Sequence, residues 1–142
     1  MATFNKYQQF VEDLAKGVHN FTSDATSSVT LALSNTAGDA DATKATLSQI
    51  TQVSYTNLSS RIVTGITAEH TTGTVTFTAT DLVLTASGGS VAAFRYIILY
   101  NDDPTSPADP LIGWYDYGSA LTLADGETLT IDFGASGFGT LA

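Results

Sequence analysis

Residues 91–117 read VAAFRYIILYNDDPTSPADPLIGWYDY, and this stretch decides the fold. It holds the single Trp, four of the six Tyr and all three Pro. Phe94, Tyr96, Ile98 and Tyr100 alternate with Arg95, Ile97 and Leu99, and Leu111, Gly113, Tyr115 and Tyr117 alternate with Ile112, Trp114 and Asp116. A period of two sends neighbouring side chains to opposite faces of a strand. Between the two runs, Asn101 to Pro110 is a loop of Asp, Pro and Ser. The pattern predicts a β-hairpin with a long connection, buried deeply enough to carry aromatics on both strands.

Outward from this hairpin, turn signals recur on both sides. Upstream, Ser87-Gly88-Gly89-Ser90 breaks the chain. Before it, Val29, Leu31 and Leu33 predict a strand, Arg61 to His70 another and Thr74 to Thr80 a third. Thr71-Thr72-Gly73 forms the turn between the last two, and Leu82 to Thr85 continues or bends the third. Ala42 to Ile50 predicts a short helix capped by Asp41, with Leu47 and Ile50 facing inward. Downstream, Leu121 and Leu123 precede Ala124-Asp125-Gly126, and Leu129, Ile131 and Phe133 follow. Asp-Gly is a strong turn signal, because Gly takes positive φ without steric cost, so a second hairpin is expected here.

The first twenty residues differ from the rest. Phe4, Tyr7, Phe10, Val11, Leu14 and Val18 recur at spacings of three and four, the stripe of an amphipathic helix. Thr3 is the expected N-cap, with Gly17 and Asn20 as stop signals. A stripe with three aromatics must lie on something, either its own domain's sheet or another subunit. The expected organisation is therefore a helix over 1–20 and one β domain over 21–142, with 134–142 as a last edge strand or a C-terminal arm. The fold class is mainly β: an antiparallel β-sandwich or jelly-roll-like double sheet with an N-terminal amphipathic helix.

At 142 residues the chain is long enough for one domain with a substantial core. Only 13% of residues are charged, and Thr crowds between Thr64 and Thr85, which suits a half-solvated sheet better than a helix. A net charge of −9 with only five Lys and Arg argues against nucleic-acid binding and against attraction to anionic lipid. The apolar runs are too short to span a bilayer, and the start lacks the basic-then-apolar pattern of a secretory signal. The sequons at Asn20 and Asn57 are read as chance matches on that account. Without cysteine there are no disulfides, thiolate nucleophiles or thiolate metal sites.

Reactive constellations are sparse. His19 and His70 have no ligand-spaced partner and are expected at the surface or at element boundaries. No Gly-x-Ser-x-Gly elbow marks a nucleophile. Asp39 with Asp41, and Asp102, Asp103 and Asp109 in one loop, are weak Ca²⁺ candidates that read as solvated turn residues. Asp116, beside Trp114 and Tyr117, lacks the second carboxylate a glycosidase needs. No enzyme activity and no cofactor are expected. Trp114, Tyr115 and Tyr117 either fill a core or form a binding face for a sugar or a partner.

Three blocks carry a family resemblance: NKYQQFVEDLAKGVHNF (5–21), SGGSVAAFRYIILYND (87–102) and DPLIGWYDYGSALTLADGETLTIDFG (109–134). Together they resemble a family of short virion structural proteins encoded by tailed bacteriophages and prophages near capsid and head–tail genes. The resemblance implies a capsid decoration, or cement, protein on the outer shell in many copies. Its implied partners are the major capsid protein and copies of itself, as a dimer or trimer. The implied location is the virion surface, after assembly in the host cytoplasm. The assembly interface is then expected among Phe4, Tyr7, Phe10, Val11, Leu14, Trp114, Tyr115 and Tyr117. Alternatives are a low-copy tail, head–tail connector or fibre-base protein, and a carbohydrate-binding module that aids host attachment through Trp114.

Overall fold

The computed structural model describes residues 2–21, 29–135 and 137–142. In chain order the elements are β1 (Phe4–Lys6), α1 (Gln8–Ala15), β2 (Val29–Ser34), β3 (Thr67–Thr71), β4 (Thr74–Thr78), β5 (Leu82–Thr85), β6 (Phe94–Asn101), β7 (Leu111–Leu121), β8 (Thr128–Ile131) and β9 (Gly139–Leu141). The fold is mainly β, and its strands pair antiparallel, as the sequence predicts.

The aromatic hairpin β6–β7 is the centre. β2 pairs with β6 from Val29↔Asn101 to Ser34↔Tyr96, and β1 pairs with β7 from Phe4↔Tyr115 to Lys6↔Gly113, giving the order β1-β7-β6-β2. Both faces of this sheet are covered. On one, Leu31, Leu33, Ile97, Leu99 and Ile112 pack with Phe77 of β4, Leu84 of β5 and Ile131 of β8. On the other, Ala32, Tyr96, Ile98, Tyr100 and Trp114 pack with Tyr7 and Ile50. A strand buried on both sides must be apolar at nearly every position, which is why β6 reads Tyr-Ile-Ile-Leu-Tyr. Each large side chain removed from water in this way contributes about 1.5–3 kcal/mol.

The opposing layer is split into a three-stranded sheet, β3-β4-β9, and a two-stranded one, β5-β8. The tail therefore takes its edge-strand option, with β9 lying along β4. The β3–β4 turn at Thr72 (φ 49°) and Gly73 (φ 86°) places both central residues in the left-handed region, as a two-residue hairpin loop requires.

Two bulges correct the simple alternation. Leu99 pairs with Gly113 but Tyr100 with Leu111, so Ile112 is an extra residue and Leu111 shares a face with Trp114, not with Tyr115. Tyr96 pairs with Asp116 but Phe94 with Leu121, so Tyr117 to Ala120 stand against Arg95 alone. This shift brings Phe94 into the same core as Ile97.

Four other expectations are corrected. The N-terminal helix starts at Gln8, not Phe4. Phe4 lies in β1, and the residue at the cap is Tyr7, in extended conformation with no side-chain cap bond, rather than Thr3. The open edge of β7 offers a ladder to the first residues, and Gly113 makes room: a Cβ there would overlap the Phe4 ring and lie 2.5 Å from the Asn5 carbonyl oxygen. At the other end Gly17 (φ 73°) stops the helix as expected, its amide reaching the Leu14 carbonyl at 3.1 Å. Second, 42–50 forms no α-helix but a loop with one 3₁₀ turn at Leu47–Gln49. Its backbone is spent on the hairpin instead, with the Leu111 amide donating to Ala45 and the Leu47 amide to Asp109. Third, Arg61 to His70 is not one strand. Arg61 and Val63 bond to β2, and only Thr67–Thr71 joins the second layer. Fourth, the Asp125-Gly126 turn forms, but its arms do not pair with each other. β8 pairs with β5, so Leu82–Thr85 does not prolong β4.

Candidate functional site

The eight expected interface residues are dispersed. Tyr7 and Trp114 meet on one face of the central sheet, ring centroids 4.7 Å apart, and the Tyr7 hydroxyl donates to the Asp39 carbonyl at 2.9 Å. Phe4 and Tyr115 meet on the other side at 5.4 Å, edge to face. Phe10 of α1 is buried against Phe21 and Phe77. Tyr7, Phe10, Trp114 and Tyr115 are thus committed to the chain's own core, while Phe4 and Leu14 are half-buried. Val11, at 39%, and Tyr117, at 48%, stand exposed. Trp114 is 8% exposed with its ring on Tyr7, so it offers no open face to a sugar.

The ionisable groups are mostly engaged in structure. Asp39, expected as a solvated turn residue, is fully buried. It accepts from Ser34 Oγ at 2.5 Å, Lys44 Nζ at 2.5 Å and the Thr51 amide at 2.9 Å. Burial pushes its carboxyl up, but Lys44, Ser34 and Thr51 together outweigh burial and hold it below the usual range. Asp116 receives Arg95 in a two-pronged pair at 2.7 and 2.9 Å, which lowers its carboxyl and occupies both oxygens. Asp109 is raised by burial and by the neighbouring Asp102.

His19 corrects the surface expectation. It is 7% exposed, stacked on Phe21 at 5.4 Å and edge-on to Phe10 at 5.1 Å, with Nδ1 at 3.3 Å from Asn101 Nδ2. Burial pulls its imidazole down to about 4, against a smaller opposing pull from Asp13. Among the described residues, no cluster of three His, Asp or Glu side chains has metal-binding geometry.

Two of the grooves that remain open to solvent are mainly apolar. One groove of about 540 Å³ lies between α1 and the second layer, bordered by Val11, Leu14, Val75 and Leu141. A smaller one of about 250 Å³ opens between the layers, where Ile97, Tyr115 and Tyr117 face Leu129, Thr130, Ile131 and Asp132, with Ala2 at one end. Burial, and then the Asp132 carboxylate, push the Tyr115 hydroxyl up to about 12. Sequence reasoning missed this second groove, because it paired Leu129 and Ile131 with the strand that ends at Leu123. The one legible sign was Leu82–Thr85, an apolar run that needed a partner of its own.

No protein-family model, curated protein or solved structure matches this chain.

Proposed function

We propose that the chain is a virion structural protein of the tailed-phage kind, a decoration protein held in many copies on the outer face of the capsid, with no enzymatic role. The observation that carries this reading is the resemblance of three sequence blocks, and the fold supplies a reason to weigh them together. β1 overlaps the first block, β6 lies in the second and β7 in the third, and these three strands are neighbours in the central sheet. The blocks therefore fall within one structural unit.

The surface chemistry supports a role in assembly. The carboxylates with shaped surroundings, Asp39 and Asp116, are spent on Lys44 and Arg95. Apolar side chains are exposed at Val11, Ile62, Val83 and Tyr117. Many small contacts repeated over a lattice hold through multivalency even when each is weak. With four of the eight sequence candidates buried in the chain's own core, the interface with the shell protein or with further copies falls to Val11 and Tyr117 and their surroundings.

The test is copy number per particle, by quantitative mass spectrometry of purified virions together with electron cryomicroscopy of the head. Hundreds of copies in step with the major shell protein are expected. A few to a few dozen would move the chain to the tail or connector, and none would overturn the virion assignment.

A further inference from the structure

We infer that the groove between β7 and β8 is an acceptor site for an extended, basic polypeptide segment, which adds as a strand to the free edge of β8. β8 is bonded to β5 on one side, and among the described residues no strand pairs with its other edge. The groove is lined by four consecutive residues, Leu129 to Asp132. Consecutive strand residues point their side chains to opposite faces, so a groove that touches all four runs along the strand's backbone edge. The far wall is apolar, formed by Ile97, Tyr115 and the exposed Tyr117.

These two walls together select the occupant. An edge of alternating N–H and C=O groups is satisfied along its length by another peptide backbone, and the apolar wall beside it takes every second side chain. The edge of β3 is less complete: Ala68 to Thr71 are exposed, and of these four only Ala68 borders a groove, the one beside α1, whereas four consecutive residues line the groove at β8. Charge narrows the choice further. Asp132 lies in the groove and forms no ion pair among the described residues, and the chain carries −9 overall. A second acidic copy is repelled, whereas a segment that alternates β-branched residues with Lys or Arg is drawn in. This inference does not depend on the virion reading.

The test uses the full chain, isotopically labelled, and a blocked seven-residue peptide that alternates valine with lysine and threonine. Amide hydrogen exchange is expected to slow at least ten-fold at alternate positions within Thr128–Ile131, those whose N–H groups point away from β5. Tyr117→Ser, at the exposed rim, should weaken the peptide several-fold with the remaining amide signals in place. Absence of slowing at millimolar peptide overturns the proposal. Equal slowing by a peptide of the same charge with glycine for valine also overturns it, because attraction alone then suffices. A concentration-dependent dimer that protects the same amides without peptide overturns the choice of a basic partner over a second copy.

Discussion

All six residues of β2, Val29 to Ser34, are buried, whereas four of the five residues of β3, Thr67 to Thr71, are exposed. Both are strands in antiparallel sheets of one small domain, and both hold Thr and Ala. The difference lies in what covers them. β2 belongs to a sheet packed on two sides, by the second layer and by the loop around Ile50, so even Thr30 and Ser34 are enclosed. β3 is the margin of the covering layer and holds on through a ladder to β4 and a Thr67–Thr78 hydroxyl contact at 2.6 Å. Strength in this molecule is therefore concentrated in the central sheet, and the second layer serves as its lid.

That contrast can be broken most severely at the N-terminus. Removing residues 1–20 takes away β1, α1, Tyr7 and Phe10, and exposes both Trp114 and the Phe77 cluster. The truncated chain is expected to aggregate without a cooperative melt, read by light scattering and thermal circular dichroism. A clean transition would show that the stripe does not seal the domain. Next in size is Trp114→Ala, which leaves a cavity beside Tyr7 and should cost about 3–5 kcal/mol by denaturant unfolding. The matching change in the lid, Thr67→Ala, should cost less than about 1 kcal/mol. Equal losses would refute the division of labour between the layers.

Acid should act on the seam between α1 and the central sheet. In the unfolded chain His19 titrates near its ordinary 6.5, but in the fold only near 4. The unfolded state thus binds the proton first. Stability is full above pH 6.5 and falls as pH drops from 6.5 towards 4, by about 3 kcal/mol in all. His19→Gln should flatten that part of the profile, measured by urea midpoints between pH 7 and 4. Gly113→Ala should cost about 1–3 kcal/mol, because the new methyl collides with Phe4 and with backbone that cannot turn aside. A small effect, of the same order as Thr67→Ala, is expected from Arg95→Gln. Its pair with Asp116 is more than one-third exposed, so a loss of about 0.2–1 kcal/mol that fades in high salt should be seen.

The hairpin β6–β7 was legible because its signals are local: a two-residue period on each arm and a Pro-rich link between them. The β3–β4 turn and the stop at Gly17 were legible for the same reason. The misreadings share the opposite cause. Phe4 and Tyr7 fit a helical stripe, and what claims Phe4 for a strand is the edge of β7 at Gly113, more than a hundred residues away. Asp125-Gly126 announces a turn but not that Leu129 and Ile131 will pair with Leu84 and Leu82. The extra residues at Ile112 and Tyr117–Ala120 reorder which side chains share a face, and no local pattern marks them. The interface candidates divide on the same ground, four in the core and Val11 and Tyr117 exposed. Trp114 and Tyr115 read equally as core or as a binding face, and the positions of Tyr7 and Phe4 show which of the two they take.

The pairing of Phe4 with Tyr115 also sets a timetable for synthesis. The first strand is synthesised before its partner, which follows only after the more than one hundred residues between them. At roughly 5–20 residues per second, that wait is on the order of 5–20 s. For that interval Phe4, Tyr7 and Phe10 have no sheet to lie on, and the long loop that joins them to β7 must close before the ladder can form. The chain would therefore pass through its most adhesive stage while still being made.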